Sequence, residues 1–166
     1  MINSDLKPRL RFAGFTEAWE QRKLGDIVSI NSGMDYKHLQ FGDIPVYGTG
    51  GYMLSVNKAL SYKNDAVGIG RKGTIDKPYI LRAPFWTVDT LFYAIPTQDF
   101  NLNFCFCIFQ KVDWKSKDES TGVPSLSKVT IKETKIRYPS IHEQIRIGQL
   151  FDQLDFLITL HQRKQK

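Results

Sequence analysis

From Ile141 onward the chain contains no proline and a single glycine, Gly148, while Ile147, Phe151, Leu154, Ile158 and His161 follow one another at spacings of 4, 3, 4 and 3. Such spacing is a heptad seam and commits this stretch to one long α-helix. About 25 residues at a rise of roughly 1.5 Å each give a rod about 37 Å long. Leu150 and Leu157 widen the apolar stripe beyond a strict two-position seam, a width suited to packing on a partner helix and on the helix's own domain together. A helix folded back on its domain would show the same stripe. The mostly polar ending LHQRKQK, residues 160–166, reads instead as a chain running outward.

The preceding residues follow a different rule. Ile27–Ile30, Ile44–Tyr47, Ala66–Ile69, Tyr79–Leu81 and Thr90–Ile95 are short apolar runs separated by Gly, Pro, Asn and Asp, the punctuation of strands and turns. The pattern Leu10-x-Phe12-x-x-Phe15 marks an extended leading segment over residues 1–15. Thr16 is placed to cap a short helix ending at Gly25, although Trp19 stands where a capping box wants Glu or Gln. LNFCFCIFQKVDW, residues 102–114, reads as a buried helix or a buried strand, with helix preferred. Residues 116–127 are a polar loop, and Ile131–Tyr138, stopped by Pro139, reads as a strand. The expected fold class is α+β: a β-rich domain over residues 1–139, then a long coiled-coil-type helix over residues 140–166.

With 166 residues, 42% apolar and 13% aromatic, the chain has the size of one ordinary domain and too much apolar content to be disordered. The formal charge of +6 makes a polyanionic partner worth considering, although solubility alone explains an excess of this size equally well. MINSDLKPRLRF lacks the apolar core of a secretory segment, and no run of 18 apolar residues is present, so the expectation is a cytoplasmic protein with no membrane partner. Cys105 and Cys107 lie too close for a normal bridge and have no histidine nearby. They are expected to be small buried hydrophobes, and no metal site is expected.

AVGIGRKGTIDKP, residues 66–78, has the Gly68-x-Gly70-x-x-Gly73 spacing of a dinucleotide loop. Such a loop needs a helix after its last glycine, so that the helix N-terminus meets the pyrophosphate. Pro78 disfavours helix at and before Lys77. A phosphate-binding loop would need lysine directly after the last glycine, where this chain has Thr74. What remains is a turn presenting Arg71 and Lys72. Between Met53 and Arg82, six basic residues (Lys58, Lys63, Arg71, Lys72, Lys77 and Arg82) face two acidic ones, Asp65 and Asp76. Clustered cations on a glycine-rich turn suit DNA phosphates, and arginine also reads guanine in the major groove.

Catalytic patterns are weak. There is no Gly-x-Ser-x-Gly, the histidines are scattered at 38, 142 and 161, and the Asn/Asp-Pro-Pro-Tyr/Phe signature of adenine methylation is missing. Glu133-Thr-Lys135 with Asp113 upstream matches half of a magnesium nuclease site, a tripeptide common by chance. A small nuclease using Asp113, Glu133 and Lys135, and an adaptor acting only through its helix, stand as rival readings. The main expectation is a non-catalytic protein.

Several pieces taken in order resemble the specificity subunits of type I restriction-modification systems. They run from LRFAGFTEAWEQRKL (residues 10–24) through YGTGGY (47–52), IGRKGT (69–74), FWTVDT (85–90) and GVPSLS (122–127). IRYP (136–139), EQIRIG (143–148) and LDFLITLHQRK (154–164) complete the series. Arg137 and Tyr138 depart from it, since the family prefers aliphatic residues there. The resemblance implies one DNA target recognition domain with its spacer helix, half of a full subunit, as a natural half-subunit that dimerises or as an excerpt of a longer chain. It implies double-stranded DNA as ligand, methyltransferase subunits that hold S-adenosylmethionine themselves, and a motor-nuclease subunit that joins for restriction. It also implies a second half-subunit, or a second copy of this chain, paired through Ile147, Phe151, Leu154, Ile158 and His161, with no cofactor in the chain itself. Base reading is then expected from Tyr47, Thr49 and Tyr52, from Arg71, Lys72, Thr74 and Lys77, and from Ser125, Ser127 and Lys128. Lys37, Lys58, Lys63, Lys115 and Lys117 are expected on phosphates.

Overall fold

A computed structural model of the chain describes residues 8–164; the start of the expected leading segment, residues 1–7, and the last two residues lie outside the described part. The elements run β1 (Glu20–Lys23), β2 (Val28–Ser32), β3 (Phe41–Gly48), β4 (Gly51–Val56), β5 (Ala66–Gly70), β6 (Tyr79–Leu81), β7 (Trp86–Thr87), β8 (Leu91–Pro96), α1 (Leu102–Lys111), α2 (Lys128–Glu133), β9 (Lys135–Tyr138) and α3 (Ile141–Lys164). Two single 3-10 turns, Leu24–Asp26 and Lys115–Lys117, complete the path.

The central sheet has the order β2-β8-β5-β6, antiparallel throughout. Its inner strands read as unbroken apolar runs because both faces are covered. Phe92 and Ala94 of β8 join Val67 and Ile69 of β5 in the larger core, with Phe104, Cys105, Ile108 and Phe109 of α1. The alternate residues Leu91 and Tyr93 pack with Ala66, Leu81 and Phe85 on the opposite face. Beyond that face lies the sheet β4-β3-β7, a hairpin extended by a parallel strand, with its own core of Val46, Val56, Trp86 and Val88. The result is helix, sheet and sheet in three layers, the arrangement that the two-residue period of the strands demands.

Two expectations give way. Residues 16–19 are irregular and residues 20–23 form β1, in place of a helix capped by Thr16. Pairing with β9, from Glu20 opposite Tyr138 to Lys23 opposite Lys135, satisfies that backbone, while Trp19 packs edge-on against Phe104. The stretch expected as a strand from Ile131 starts as α2, because the Ser127 side chain accepts from the Thr130 N–H at 3.0 Å and caps a short helix. Only Lys135–Tyr138 is strand. Residues 102–111 are helical as preferred, with Asn101 as the cap. Cys105 is buried and Cys107 half-buried, and burial pushes the Cys107 thiol up to about 11.

The long helix begins at Ile141, and its first two turns belong to the domain. Glu143 and Gln144 are each 1% exposed. Gln144 accepts the Asn101 N–H at 3.0 Å and donates to the Pro139 carbonyl at 3.0 Å. The Glu143 carboxylate takes two bonds from the Arg11 guanidinium, at 2.8 and 2.5 Å. Gly148 lies against the start of α1, so close that a Cβ there would sit 2.7 Å from Asn101 Oδ1 and 3.0 Å from the Phe104 nitrogen. Ile147 packs on the domain's own core. From residue 149 to 164 every residue is exposed.

Gly148→Val is expected to force α3 off the cap of α1 and lower the unfolding free energy by roughly 1–3 kcal/mol, the usual cost of overpacking. Denaturant unfolding of the two proteins measures it. Unchanged stability would show that the close contact carries no weight.

Candidate nucleic-acid interface

The glycine stretch is a turn stitched to a distant loop. Past Gly70 the Arg71 N–H donates to the Thr90 carbonyl at 2.8 Å, and the Gly73 N–H donates to the Pro124 carbonyl at 2.8 Å. Lys72 and Ser125 form an isolated bridge, and the Leu126 N–H returns to the Arg71 carbonyl at 2.9 Å. A side chain at residue 70 would meet the Thr74 carbonyl oxygen at 2.0 Å, and Gly73 has φ +92°, a left-handed conformation that favours glycine. Residues 71–78 contain no helix, so the cofactor-loop geometry does not form. These two glycines shape a turn.

That turn aims Arg71 and Lys72 outward. The Arg71 guanidinium lies 5.8 Å from the centre of the Phe92 ring, and its Nη1 donates to the Asp89 carbonyl at 3.4 Å. Stacking of this kind holds the planar fork while leaving other N–H groups open. Arg71, Lys72, Ser125, Ser127 and Lys128 line one open depression of about 510 Å³, together with Ser32, Phe92, Glu119 and Leu126. Five residues expected to meet DNA are thereby brought together from two distant parts of the chain.

The second wall is a loop built on Asp118. Its Oδ1 accepts the Ser125 N–H at 2.9 Å and both the N–H and the hydroxyl of Ser120, at 3.0 and 2.9 Å. The Ser125 and Ser120 amides hold the Asp118 carboxyl below the usual aspartate range, because they favour its charged form. The next residue, Glu119, receives hydrogen bonds from the hydroxyls of Ser127, at 3.0 Å, and Thr130.

The remaining expected contacts divide by position. The hairpin tip carrying Tyr47, Thr49 and Tyr52 stands at the same end of the sheets as the turn: the Val88 N–H donates to the Tyr47 carbonyl at 3.0 Å, and Tyr79 Oη donates to the Gly48 carbonyl at 2.5 Å. Tyr47 meets Tyr52 edge-on and Tyr79 at a tilt, at centroid distances of 6.4 and 6.1 Å. Burial raises the Tyr79 hydroxyl above the usual range, so it remains a donor. Thr74 is half-buried and Lys77 exposed in the irregular stretch that follows. Lys115 is ion-paired to Asp76 at 2.8 Å, and Lys117 is half-buried. Lys58 follows the far end of β4, and Lys63 precedes the start of β5, which puts roughly 17 Å of strand between it and Arg71. Lys37 is exposed in the loop between β2 and β3.

The rival nuclease residues have other partners. Glu133 pairs with Lys23 at 2.6 Å, and Asp113 Oδ1 accepts the Ser116 N–H at 3.2 Å. Among the described residues no group of three or more His, Cys, Asp or Glu could hold a metal ion, and no helix is long and apolar enough to cross a membrane.

A β-rich domain leading into a long exposed helix is the fold of several solved specificity subunits. The S subunit of a type I restriction-modification system from M. genitalium superposes with a TM-score of 0.74 at 23% identity, over 88% of this chain and 41% of that one. The HsdS subunit from Thermoanaerobacter tengcongensis gives 0.67 at 15% identity, over 96% and 42%. A chain from a study of the assembly and conformational transition of the type I R-M system gives 0.70 at 15%, over 98% and 44%. This chain thus spans less than half the length of each. No curated protein matches it. Residues 16–166 match the type I restriction modification DNA specificity domain, and the chain belongs to that family.

Because Asp118 titrates below its usual value, its bonds to the loop should persist until the pH falls through that lowered value and then be lost. The Ser125 amide proton resonance is expected to hold its position down to about pH 4, the ordinary aspartate pKa, and to move only below it. Movement already complete above that value would remove Asp118 as the loop's organiser.

Proposed function

We propose that the chain is a DNA target recognition domain with its spacer helix, one half of a type I specificity subunit, working in the cytoplasm. It reads one part of a split site in double-stranded DNA. Methyltransferase subunits mounted on this frame modify adenine with S-adenosylmethionine that they hold themselves, and a motor-nuclease subunit joins for restriction. The observation that carries this reading is the convergence of Arg71, Lys72 and Lys128 with Ser125 and Ser127 in one open depression. Cations there suit phosphates, and the forked Arg71 suits the guanine edge. Lys58, Lys63, Lys72 and Lys77 have no ion-pair partner among the described residues, so their charge remains available to a polyanion.

The outer part of α3 supports the second half of the reading. Phe151, Leu154 and Ile158 are 47%, 42% and 54% exposed, and His161 lies further along the same seam. An apolar stripe of this size on a projecting helix matches a second helix of the same kind, from another half-subunit or a second copy of the chain.

The adenine-methylation map of a host with the gene intact and deleted tests the whole reading. Loss of a two-part motif on deletion is expected, and an unchanged map would reject it. Arg71→Ala is expected to weaken binding by about 1–3 kcal/mol and relax one position of the motif, whereas Lys72→Ala should weaken all sequences evenly and reduce the salt slope by about 1. Phe151→Asp should abolish helix pairing, seen in sedimentation, while the domain's unfolding transition stays in place.

A further inference from the structure

One side chain in the depression has the wrong sign for a phosphate site. Glu119 lines it together with Arg71, Lys72 and Lys128, yet forms no salt bridge with any of them among the described residues. Its Oε1 is held by the hydroxyls of Ser127 and Thr130, and its backbone N–H donates to the Ser125 carbonyl at 3.1 Å. Oε2 has no hydrogen-bond partner among the described residues. The group is therefore fixed on one side and open on the other.

Helix capping does not require it. The Ser127 hydroxyl already accepts the Thr130 N–H that opens α2, and a neutral acceptor would hold the two hydroxyls as well. Against a DNA backbone, a fixed carboxylate is repelled. Against base edges it has a use that the surrounding cations lack. In the major groove the exocyclic amines of cytosine and adenine are donors, and Arg and Lys, which only donate, cannot read them.

We propose that Glu119 is a specificity-determining residue, its open carboxylate oxygen accepting a hydrogen bond from the exocyclic amine of a cytosine or adenine beside the position read by Arg71. This rests on the DNA-recognition reading above. Holding by Ser127 and Thr130 means that little side-chain freedom is lost on binding.

Glu119→Gln keeps an acceptor for the two hydroxyls and replaces the open oxygen with an amide donor. In the host, the variant's methylation map is expected to change or relax at one position of the motif, and affinity for the original site should fall about 5- to 150-fold, the range of a single mismatched base pair. A second series uses the wild-type chain in its assembled complex and duplexes that lack one exocyclic amine at a time, with 2-pyrimidinone in place of cytosine or purine in place of adenine. Loss at the same position, abolished in the Glu119→Gln protein, is expected; the analogue that causes it separates cytosine from adenine. An unchanged map and affinity for Glu119→Gln would overturn the inference while leaving DNA recognition standing. So would a wild-type protein indifferent to every missing amine, a result that holds even if the variant fails to fold. A wild-type chain that directs no methylated motif would remove the recognition reading and this inference with it.

Discussion

The Glu143 carboxylate is 1% exposed and has one charged partner, the Arg11 guanidinium, gripping it through two nitrogens. Removing Arg11 leaves the Glu143 carboxylate an uncompensated buried charge, at a cost of about 3–5 kcal/mol. The same guanidinium donates to the Glu17 carbonyl at 2.5 Å, and Arg146, one turn along α3, lies over the Phe12 ring at 5.3 Å. The segment before β1 is thereby locked to the first turns of α3, and Gln144 and Gly148 lock those turns to α1. The direction in which the helix leaves the domain is set by this junction and by no loop. The outer apolar stripe of α3 thereby starts from a fixed point on the domain.

The interior of the domain supports the open depression in a comparable way. β5 and β8 are covered on both faces, so the turn at their shared end has a rigid base. Arg71 rests on Phe92, itself in the core, and the Asp118 loop is tied to the turn by main-chain bonds. A surface assembled this way keeps its donors and acceptors in place before any ligand arrives, which lowers the ordering cost of binding.

Much of this was legible in the sequence, and the failures have physical causes. The heptad of α3 is legible because residues 149–164 are exposed along one uninterrupted helix, so their period is undisturbed. The short strands announced themselves through Gly and Pro punctuation, and Pro78 and Thr74 sufficed to reject the two cofactor loops. Propensity misled where tertiary pairing decided: residues 20–23 look helical by composition and become β1 because β9 offers a partner. Ile131 looked like the start of a strand because the cap at Ser127 lacks the acidic residue that completes a capping box. Gly148 carried no sign in the sequence that it marks a close approach of the helix to α1. The depression itself was only half visible. Arg71 and Lys72 stood out by charge, but the residues that face them across the Lys72–Ser125 bridge are distant in sequence, and Phe92, Asp118 and Glu119 carry no local signal of their role.

The pairing of β1 with β9 places the chain's arrival at the domain and its departure side by side, Glu20 opposite Tyr138. The chain just outside those two strands completes the unit, since Trp19 packs on Phe104 and the first turns of α3 close over α1. A unit whose ends meet in this manner, taken with its flanking turns, can be duplicated in tandem or spliced from one polypeptide into another. The two-stranded clasp and the turns beside it make residues 11–148 one transferable unit, whose exchange would carry the open depression with it.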